Sequence, residues 1–317
     1  NVPLLKAYLT ITNDLTFNDS TSVFSDSLYN SIKHFQARMG LRPSGVPDSI
    51  TIHEMNVSIR QRIRQIMLNM ERLRWLPDQV PDDYFLVNIP EYRLHIFEHK
   101  QYLWSMNVVV GRTATATSIF SGNLSVVGFC PYWNVPQSII KNEMLPKLKA
   151  NPGYIYKNNL EVLKNGKPIN PYSVSWSKYK TGVPFVIRQK PGPSNALGLV
   201  AFYFPNSYDI YLHDTPAKSF FSETNRAFSH GCIRLSEPEK LVQYIFRNDS
   251  ILTADSIHVL MNKYEEKKVR VKPSIPVFIG YFTTWVDHTG KINFRPDIYG
   301  LDTKLEKEVF GTEKLIQ

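Results

Sequence analysis

Tyr211-Leu212-His213-Asp214-Thr215-Pro216 and, downstream, Ser229-His230-Gly231-Cys232-Ile233-Arg234 are the stretches on which the reading of this chain turns. A cysteine attacks as its thiolate, and a free pKa of about 8.5 leaves little of it ionised at neutral pH, so a reactive cysteine needs an imidazole to take its proton. His213 and His230 are both on offer. The segment Tyr208-Asp209-Ile210-Tyr211-Leu212 alternates and is rich in β-formers, which sets His213 at a strand end, where a scaffold holds a side chain toward a neighbouring loop. Gly231 lets the backbone beside Cys232 approach a ligand closely and turn its amides outward, an arrangement suited to stabilising the oxyanion on a carbonyl under attack. The expected constellation is Cys232 as nucleophile, His213 as base, His230 as rival base, and the amides of Gly231 and Cys232 as oxyanion donors. One alternative is a small, buried, inert thiol. The other is a zinc site built from His213, Asp214, His230 and Cys232, but no CxxC or HxxxH spacing accompanies these residues, and no metal is expected.

The order of these residues narrows the class. Papain-like enzymes place the cysteine well before the histidine; sortases share a His, Cys, Arg order, but their histidine lies much farther upstream and the SHGC run is not theirs. His213, then Ser229-His230-Gly231-Cys232, then an apolar and a polar residue, resembles the signature of the L,D-transpeptidase catalytic domain. Pro131-Tyr132-Trp133-Asn134-Val135-Pro136 and Arg188-Gln189-Lys190-Pro191-Gly192-Pro193-Ser194-Asn195-Ala196-Leu197-Gly198 resemble the large, periplasmic branch of that family. Arg234 stands where many members carry asparagine and reads as a branch marker. It either grips a substrate carboxylate in a bidentate fork or forms a structural salt bridge beneath the active loop.

The resemblance implies a mechanism. Cys232, deprotonated by His213, attacks the carbonyl that joins the L-centre of a diamino acid at stem position three to a terminal D-alanine; D-alanine leaves, and a second stem's amine resolves the thioester into a 3-3 cross-link. It further implies that Asp214 orients His213 through its backbone carbonyl, that Tyr211 adds a hydroxyl donor, and that Tyr211, Ser229, Arg234, Trp133 and Asn195 meet the substrate. No organic cofactor is implied. The implied partners are peptidoglycan stem peptides, carbapenems that acylate Cys232, and a cell-wall synthase, for a monomer working in the periplasm on the cell wall and on cell shape. An L,D-carboxypeptidase, with water as acceptor, and a wall-binding protein with a dead site stay open beside it.

Composition agrees with such an enzyme without naming it. At 317 residues, 43% hydrophobic and 13% aromatic, the chain can bury sizeable cores in two or three domains. The net charge of +9 favours acidic partners. No helix-turn-helix, zinc-finger or RNP pattern occurs and the lysines form no dense stripe, so nucleic acid is not expected; carboxylate-bearing stems suit the charge. The two cysteines, Cys130 and Cys232, are not expected to pair, because Cys232 must stay free and Cys130 reads as a core strand residue. No apolar run approaches bilayer length and no signal peptide opens the chain, which reads as a processed or trimmed form.

Working outward, the chain reads as α+β: a small all-α module, a linker helix, and a mostly-β catalytic domain with an inserted cap. In residues 1–57, Leu28, Ile32 and Phe35 recur at helical spacing behind a Ser25 or Asp26 cap, Gly40 ends the helix, and a second helix runs from Asp48 through Met55. Ile32 to Leu41 with Ser44 to Asp48 resembles the small helical peptidoglycan-binding module, except that Ser44-Gly45 and Pro47-Asp48 replace its usual Asp-Gly turn. Residues 58–82 hold an amphipathic helix whose apolar stripe, Ile59, Ile63, Ile66, Met67, Met70 and Leu73, is expected to pack on the catalytic domain, its arginines facing out. Residues 83–317 form the catalytic domain, with strands at 84–89, 92–97, 103–110 and 125–129. A lysine-rich capping insertion falls at about 137–184, with Lys141, Lys147 or Lys149 meeting substrate carboxylates. After the motif come a helix at 237–247 and a hairpin of 277–287 with 291–294 that completes the catalytic sheet.

Overall fold

In a computed structural model, residues 1–77 and 79–311 are described; Asp78 of the expected linker region and residues 312–317 of the expected catalytic domain lie outside them. The chain divides into two compact units. One comprises Asn1–Ser105, Ser222–Arg226 and Phe278–Gln317, the other Met106–Phe221 and Ala227–Val277.

The first unit begins with helices α1 (Val2–Ile11), α2 (Asp26–Arg38), α3 (Ser49–Met55) and α4 (Ile59–Leu73). Ser25 caps α2, its hydroxyl accepting from the Leu28 amide at 3.3 Å, and Leu28, Ile32 and Phe35 are fully buried with Leu9 of α1. Gly40, at φ +72°, lets the Leu41 amide return to the Gln36 carbonyl at 2.8 Å and so closes the helix. Asp48 caps α3. Gln36 then ties the turn between them, donating to the Val46 carbonyl and the Thr51 hydroxyl and accepting from the Gly45 amide, each at 2.9 Å. Helix α1 is absent from the expected elements because its buried face carries Lys6, 2% exposed and bonded to Asp19 and Thr21, which breaks the apolar pattern.

Helix α4 reverses the expectation placed on it. Its polar face is the buried one: Asn69 Nδ2 donates to the Thr283 hydroxyl at 2.8 Å, Gln65 reaches the Thr283 and Arg295 carbonyls, and Arg72 pairs with Asp302. Of the apolar stripe, Ile66 packs on the core of α1 and α2, whereas Ile59 79%, Ile63 51%, Met67 46%, Met70 60% and Leu73 55% are exposed. Periodicity shows that a helix has two faces; the neighbours decide which is covered. Among the described residues no helix is long and apolar enough to cross a membrane. Strands β1 (Tyr84–Asn88) and β2 (Arg93–Glu98) complete this part of the unit as an antiparallel pair with Val87 opposite Leu94.

Strand β3 (Gln101–Gly111) leads into the second unit and is followed by β4 (Phe120–Phe129). A cap then intervenes: β5 (Trp133–Asn134), α5 (Gln137–Ile139), one π-helical turn (Ile140–Met144), α6 (Leu145–Ala150), α7 (Tyr154–Lys157), β6 (Leu160–Lys164), β7 (Lys167–Ile169) and β8 (Val186–Gln189). It has its own sheet, in the order β5-β8-β6-β7, and its own core of Ile140, Leu148, Ile155, Trp176 and Ile187. The reading of 137–184 as helical and then turn-rich thus misses two strands, β6 and β7, which pair with β8 just beyond it. One signal for them is in the sequence: Asn165-Gly166, both at positive φ, forms the tight turn that sets Lys164 opposite Lys167.

After the cap come β9 (Val200–Tyr203), β10 (Leu212–His213), β11 (Ala227–Ser229), β12 (Ile233–Leu235), α8 (Pro238–Ile245), α9 (Ala254–Asn262) and β13 (Lys267–Gly280). Within this unit the strand order is β11-β3-β12-β10-β9-β4-β13, and the middle strands β12 and β10 carry the motif residues. The chain ends in the first unit with β14 (Thr284–Val286), β15 (Ile292–Phe294) and α10 (Leu301–Phe310). Of the expected terminal hairpin, residues 277–280 lie in β13 of that sheet, whereas β14 and β15 form a separate two-stranded sheet. Side-chain amides cause the break, since Asn88 Oδ1 takes the Phe282 amide at 2.9 Å and Asn69 Oδ1 the Thr283 amide at 2.8 Å, leaving those donors unavailable for a strand ladder.

Candidate active site

Two short parallel strands build the site. Strands β10 and β12 pair with Leu212 opposite Ile233 and His213 opposite Arg234, and the Ile233 amide donates to the Tyr211 carbonyl at 3.1 Å. Side chains alternate across a strand, so Leu212 and Ile233 point into the core, both fully buried, while Tyr211, His213, Cys232 and Arg234 share the opposite face. These four line one cavity of about 620 Å³ with Trp133, Ser229 and His230. The expected strand before His213 is shorter than its pattern suggests. Asn206 donates to the Phe204 and Ile210 carbonyls and accepts from the Tyr208 and Ile210 amides, which winds 206–210 into a loop with Asp209 at φ +52°.

His213 is buried, and its Nδ1 donates to the Asp214 carbonyl. A carbonyl only accepts, so Nδ1 carries the proton and Nε2 is left as the basic nitrogen. The Asp214 carboxylate is engaged elsewhere, taking the Leu199 amide at 2.9 Å and Lys218 Nζ at 2.5 Å. Gly198, at φ +61°, makes room for it: a Cβ there would lie 2.3 Å from Asp214 Oδ2. Gly198→Ala is accordingly expected to push Asp214 away and tilt His213, lowering the rate of Cys232 acylation by at least about tenfold and the melting temperature by several degrees. Kinetics and calorimetry on the same sample check it; an unchanged rate would refute the chain of contacts.

Cys232 sits before β12 with its Sγ donating to the Asp209 carbonyl at 3.5 Å and the Tyr211 hydroxyl in hydrogen-bond contact. Burial pushes the thiol up to about 11, against the pull of the Tyr211 hydrogen bonds and of the Arg234 charge. Burial, then Arg234, pushes His213 down to about 4. Both shifts favour the neutral forms, thiol and imidazole. Burial and the neighbouring Cys232 push the Tyr211 phenol far up, so it remains a donor.

The loop before the cysteine is held from within. Ser229 is 2% exposed; its hydroxyl donates to the Cys232 carbonyl and accepts from the Gly231 amide at 3.1 Å. That occupies the Gly231 N–H, whereas the Cys232 amide donates to no group among the described residues. Gly231 adopts φ +119°, a conformation side-chain-bearing residues rarely reach. The Thr115 hydroxyl donates to the Ser229 carbonyl, the Thr117 hydroxyl to the Gly231 carbonyl at 2.8 Å, and the Arg112 amide to the Ser229 carbonyl. His230 projects outward, Nε2 bonded at 2.7 Å to Glu143 of the cap's π-helical turn, so that nitrogen is already committed.

Arg234 presents a half-buried side chain to the cavity with its buried Nε unpartnered and lies 5.9 Å from the Phe220 ring; no carboxylate pairs with it among the described residues. Asn195 is not brought to the cavity. It is fully buried, donating to the Pro131, Gln189 and Lys190 carbonyls and accepting from the Leu197 amide, so it shapes the loop beneath the site. Lys141, Lys147 and Lys149 are exposed on the cap, outside the cavity lining. Cys130 is buried, with Sγ donating to the Met261 carbonyl at 3.1 Å, and both thiols are free. Thr115, Thr117, Asn206 and Glu143 carry no local signal in the sequence, because their roles come from contacts across the chain.

The chain is 34% identical over 243 residues to a curated Haemophilus influenzae protein provisionally described as an L,D-transpeptidase; the match covers 76% of this chain and 49% of the relative, so the chain spans about half the length of that protein. Among solved structures it is similar to an L,D-transpeptidase from Stackebrandtia nassauensis, with 13% identity over 88% of this chain and 90% of that one and a TM-score of 0.32. It is also similar to L,D-transpeptidase 3 from Mycobacterium tuberculosis in complex with a faropenem-derived adduct, with 13% identity over 63% and 60% and a TM-score of 0.28. The model of the YkuD family, the L,D-transpeptidase catalytic domain, matches residues 82–259, more than half the chain and both motif stretches, and on that match the chain belongs to the YkuD L,D-transpeptidase family.

Proposed function

We propose that the chain is a peptidoglycan L,D-transpeptidase that joins tetrapeptide stems through a thioester on Cys232. The observation that carries the reading is the shared sheet face of Tyr211, His213, Cys232 and Arg234 on one cavity, since nucleophile, base and two donors to developing charge are what acyl transfer requires. In the first half-reaction Sγ attacks the carbonyl between the diamino acid and the terminal D-alanine. The thiol proton passes to His213 Nε2 and on to the departing D-alanine nitrogen, the C–N bond breaks, and the thioester remains. In the second, the acceptor amine yields its proton to His213, attacks the thioester carbonyl, and expels the thiolate, which is reprotonated.

In this reading the Cys232 amide and the Tyr211 hydroxyl bind the oxyanion, and Asp214 acts through the carbonyl that holds His213. The unpartnered Arg234 fork takes a substrate carboxylate, Trp133 lines the stem, and Ser229 and Gly231 shape the loop. His230, tied to Glu143, positions the cap and is not the base. The enzyme works in the periplasm on the wall, where carbapenems acylate Cys232. Incubating the protein with a disaccharide-tetrapeptide and resolving products by mass spectrometry tests the assignment. A cross-linked dimer lacking one D-alanine is the expected product. Release of D-alanine without dimer makes the protein an L,D-carboxypeptidase, and no reaction at all leaves a wall-binding role.

A further inference from the structure

The cavity around Cys232 carries charge of both signs. Among the described residues that line it, Arg234 is the fixed cation and Asp209 the carboxylate. Both lie within electrostatic reach of the nucleophile. Burial is the largest cause of the raised Cys232 thiol; the Tyr211 hydrogen bonds and the Arg234 charge pull against it, and the Asp209 charge adds to it. Burial and then Cys232 push the Tyr211 phenol up, and Asp209 adds there too.

Asp209 is held in that place. Asn206 bonds the chain on either side of it, donating to the Ile210 carbonyl at 2.7 Å and accepting from the Tyr208 and Ile210 amides at 3.0 and 3.2 Å. At φ +52° the residue adopts a left-handed conformation that Asp and Asn tolerate better than most side chains. Its carbonyl accepts from Cys232 Sγ at 3.5 Å, so its carboxylate stands one side chain away from the reacting sulfur. That side chain is exposed and forms no ion pair or hydrogen bond among the described residues.

A negative charge here works against the thiolate, so it does not serve Cys232 and is of use only to the second reactant. In the transpeptidase reading, on which this inference rests, the group that resolves the thioester is an amine of a second stem. In water such an amine is an ammonium ion, with a pKa of about 10.4 as in lysine, and it has to arrive beside the acyl carbon on Sγ. We infer that Asp209 is the acceptor-binding residue: its carboxylate receives the side-chain ammonium of the second stem and sets that nitrogen beside the thioester. An ion pair favours the protonated amine, so Asp209 acts on binding. The proton that must leave before attack passes to His213 Nε2, and the freed nitrogen forms its bond to the acyl carbon as the C–S bond breaks.

The test separates acceptor from donor. A disaccharide-tetrapeptide with its side-chain amine acetylated can only donate, and a disaccharide-tripeptide, which has the amine but no terminal D-alanine, can only accept. Each is titrated with the other at saturation, and mass spectrometry measures the mixed dimer. Asp209→Asn and Asp209→Gly both remove the charge and both tolerate the left-handed backbone. Each is expected to raise the acceptor KM by about threefold or more, the worth of an ion pair at a partly exposed site, with kcat changed less than KM. Added salt should raise the wild-type acceptor KM and leave that of the variants unmoved. In a Cys130→Ala background, alkylation of Cys232 by iodoacetamide, a neutral reagent, should become about twofold faster in both variants, since a charge opposing the thiolate is gone. Slower alkylation beside a raised KM marks a damaged loop and overturns the assignment. So does a wild-type acceptor KM in both variants, a salt response shared by all three proteins, or a dimer that forms from the unmodified tetrapeptide but not from the acetylated donor, which gives the ammonium to the donor; each of these leaves the transpeptidase reading in place. A wild type that forms no dimer even from the unmodified tetrapeptide overturns both.

Discussion

Cys232→Ala is expected to remove turnover altogether, a loss on the order of 10⁶-fold when a nucleophile is deleted from a site that works as a unit. Intact-protein mass spectrometry should show a carbapenem adduct on the wild type and none on this variant. Cys130→Ala, which touches only a thiol buried against α9, should keep both adduct and turnover. The resting state predicts more. With Cys232 pushed up to about 11, only a small fraction is thiolate at pH 7, so alkylation by iodoacetamide in a Cys130→Ala background should accelerate about tenfold per pH unit from 7 toward 11. A rate already level at pH 7 would mean a preformed ion pair and would overturn the neutral-pair description. Tyr211→Phe removes a hydrogen bond that favours the thiolate and should slow alkylation further at every pH below the new midpoint.

The second large effect belongs to His213. With Gln in its place, acylation by a carbapenem should fall by about 10²–10⁴-fold, the usual contribution of a positioned general base, and stability should respond to pH with a definite sign. An unfolded histidine takes up its proton near 6.5, whereas folded His213, held down to about 4 by burial and by Arg234, does so only in stronger acid. Between those values the unfolded chain binds more protons than the folded one. The stability associated with a neutral His213 is therefore fully present above pH 6.5 and is lost as the pH falls toward 4, by up to about 3 kcal/mol. His213→Gln should flatten this part of the melting-temperature profile. If the wild type and the variant lose stability in parallel between pH 6.5 and 4, His213 is not the buried neutral group described.

Legibility in the sequence followed the range of the interactions involved. Cys232 and His213 were readable as candidates because their chemistry is written in residue type and in neighbours such as Gly231, whose φ of +119° only glycine adopts easily. Helices α2 and α3 were readable because caps act over three residues: Ser25 on Leu28 and Asp48 on Thr51. The strands β1 to β4 announced themselves by alternation and by the turns that bound them.

What the sequence by itself determined is thus the local chemistry and the local backbone: a cysteine and a histidine in a family motif, a mostly-β family domain, and helices ahead of it. The tertiary structure alone decided which face of α4 is covered, that Asn195 lies under the site while Arg234 opens into it, that His230 is tied to Glu143, and that burial pushes Cys232 and His213 toward their neutral forms. Each of these depends on burial or on partners distant in the chain: Thr283 for Asn69, Pro131 for Asn195, Glu143 for His230. Periodicity specifies two faces of a helix and residue type specifies a charge, but desolvation and long-range hydrogen bonds, which exist only once the chain has folded, select the face and set the charge.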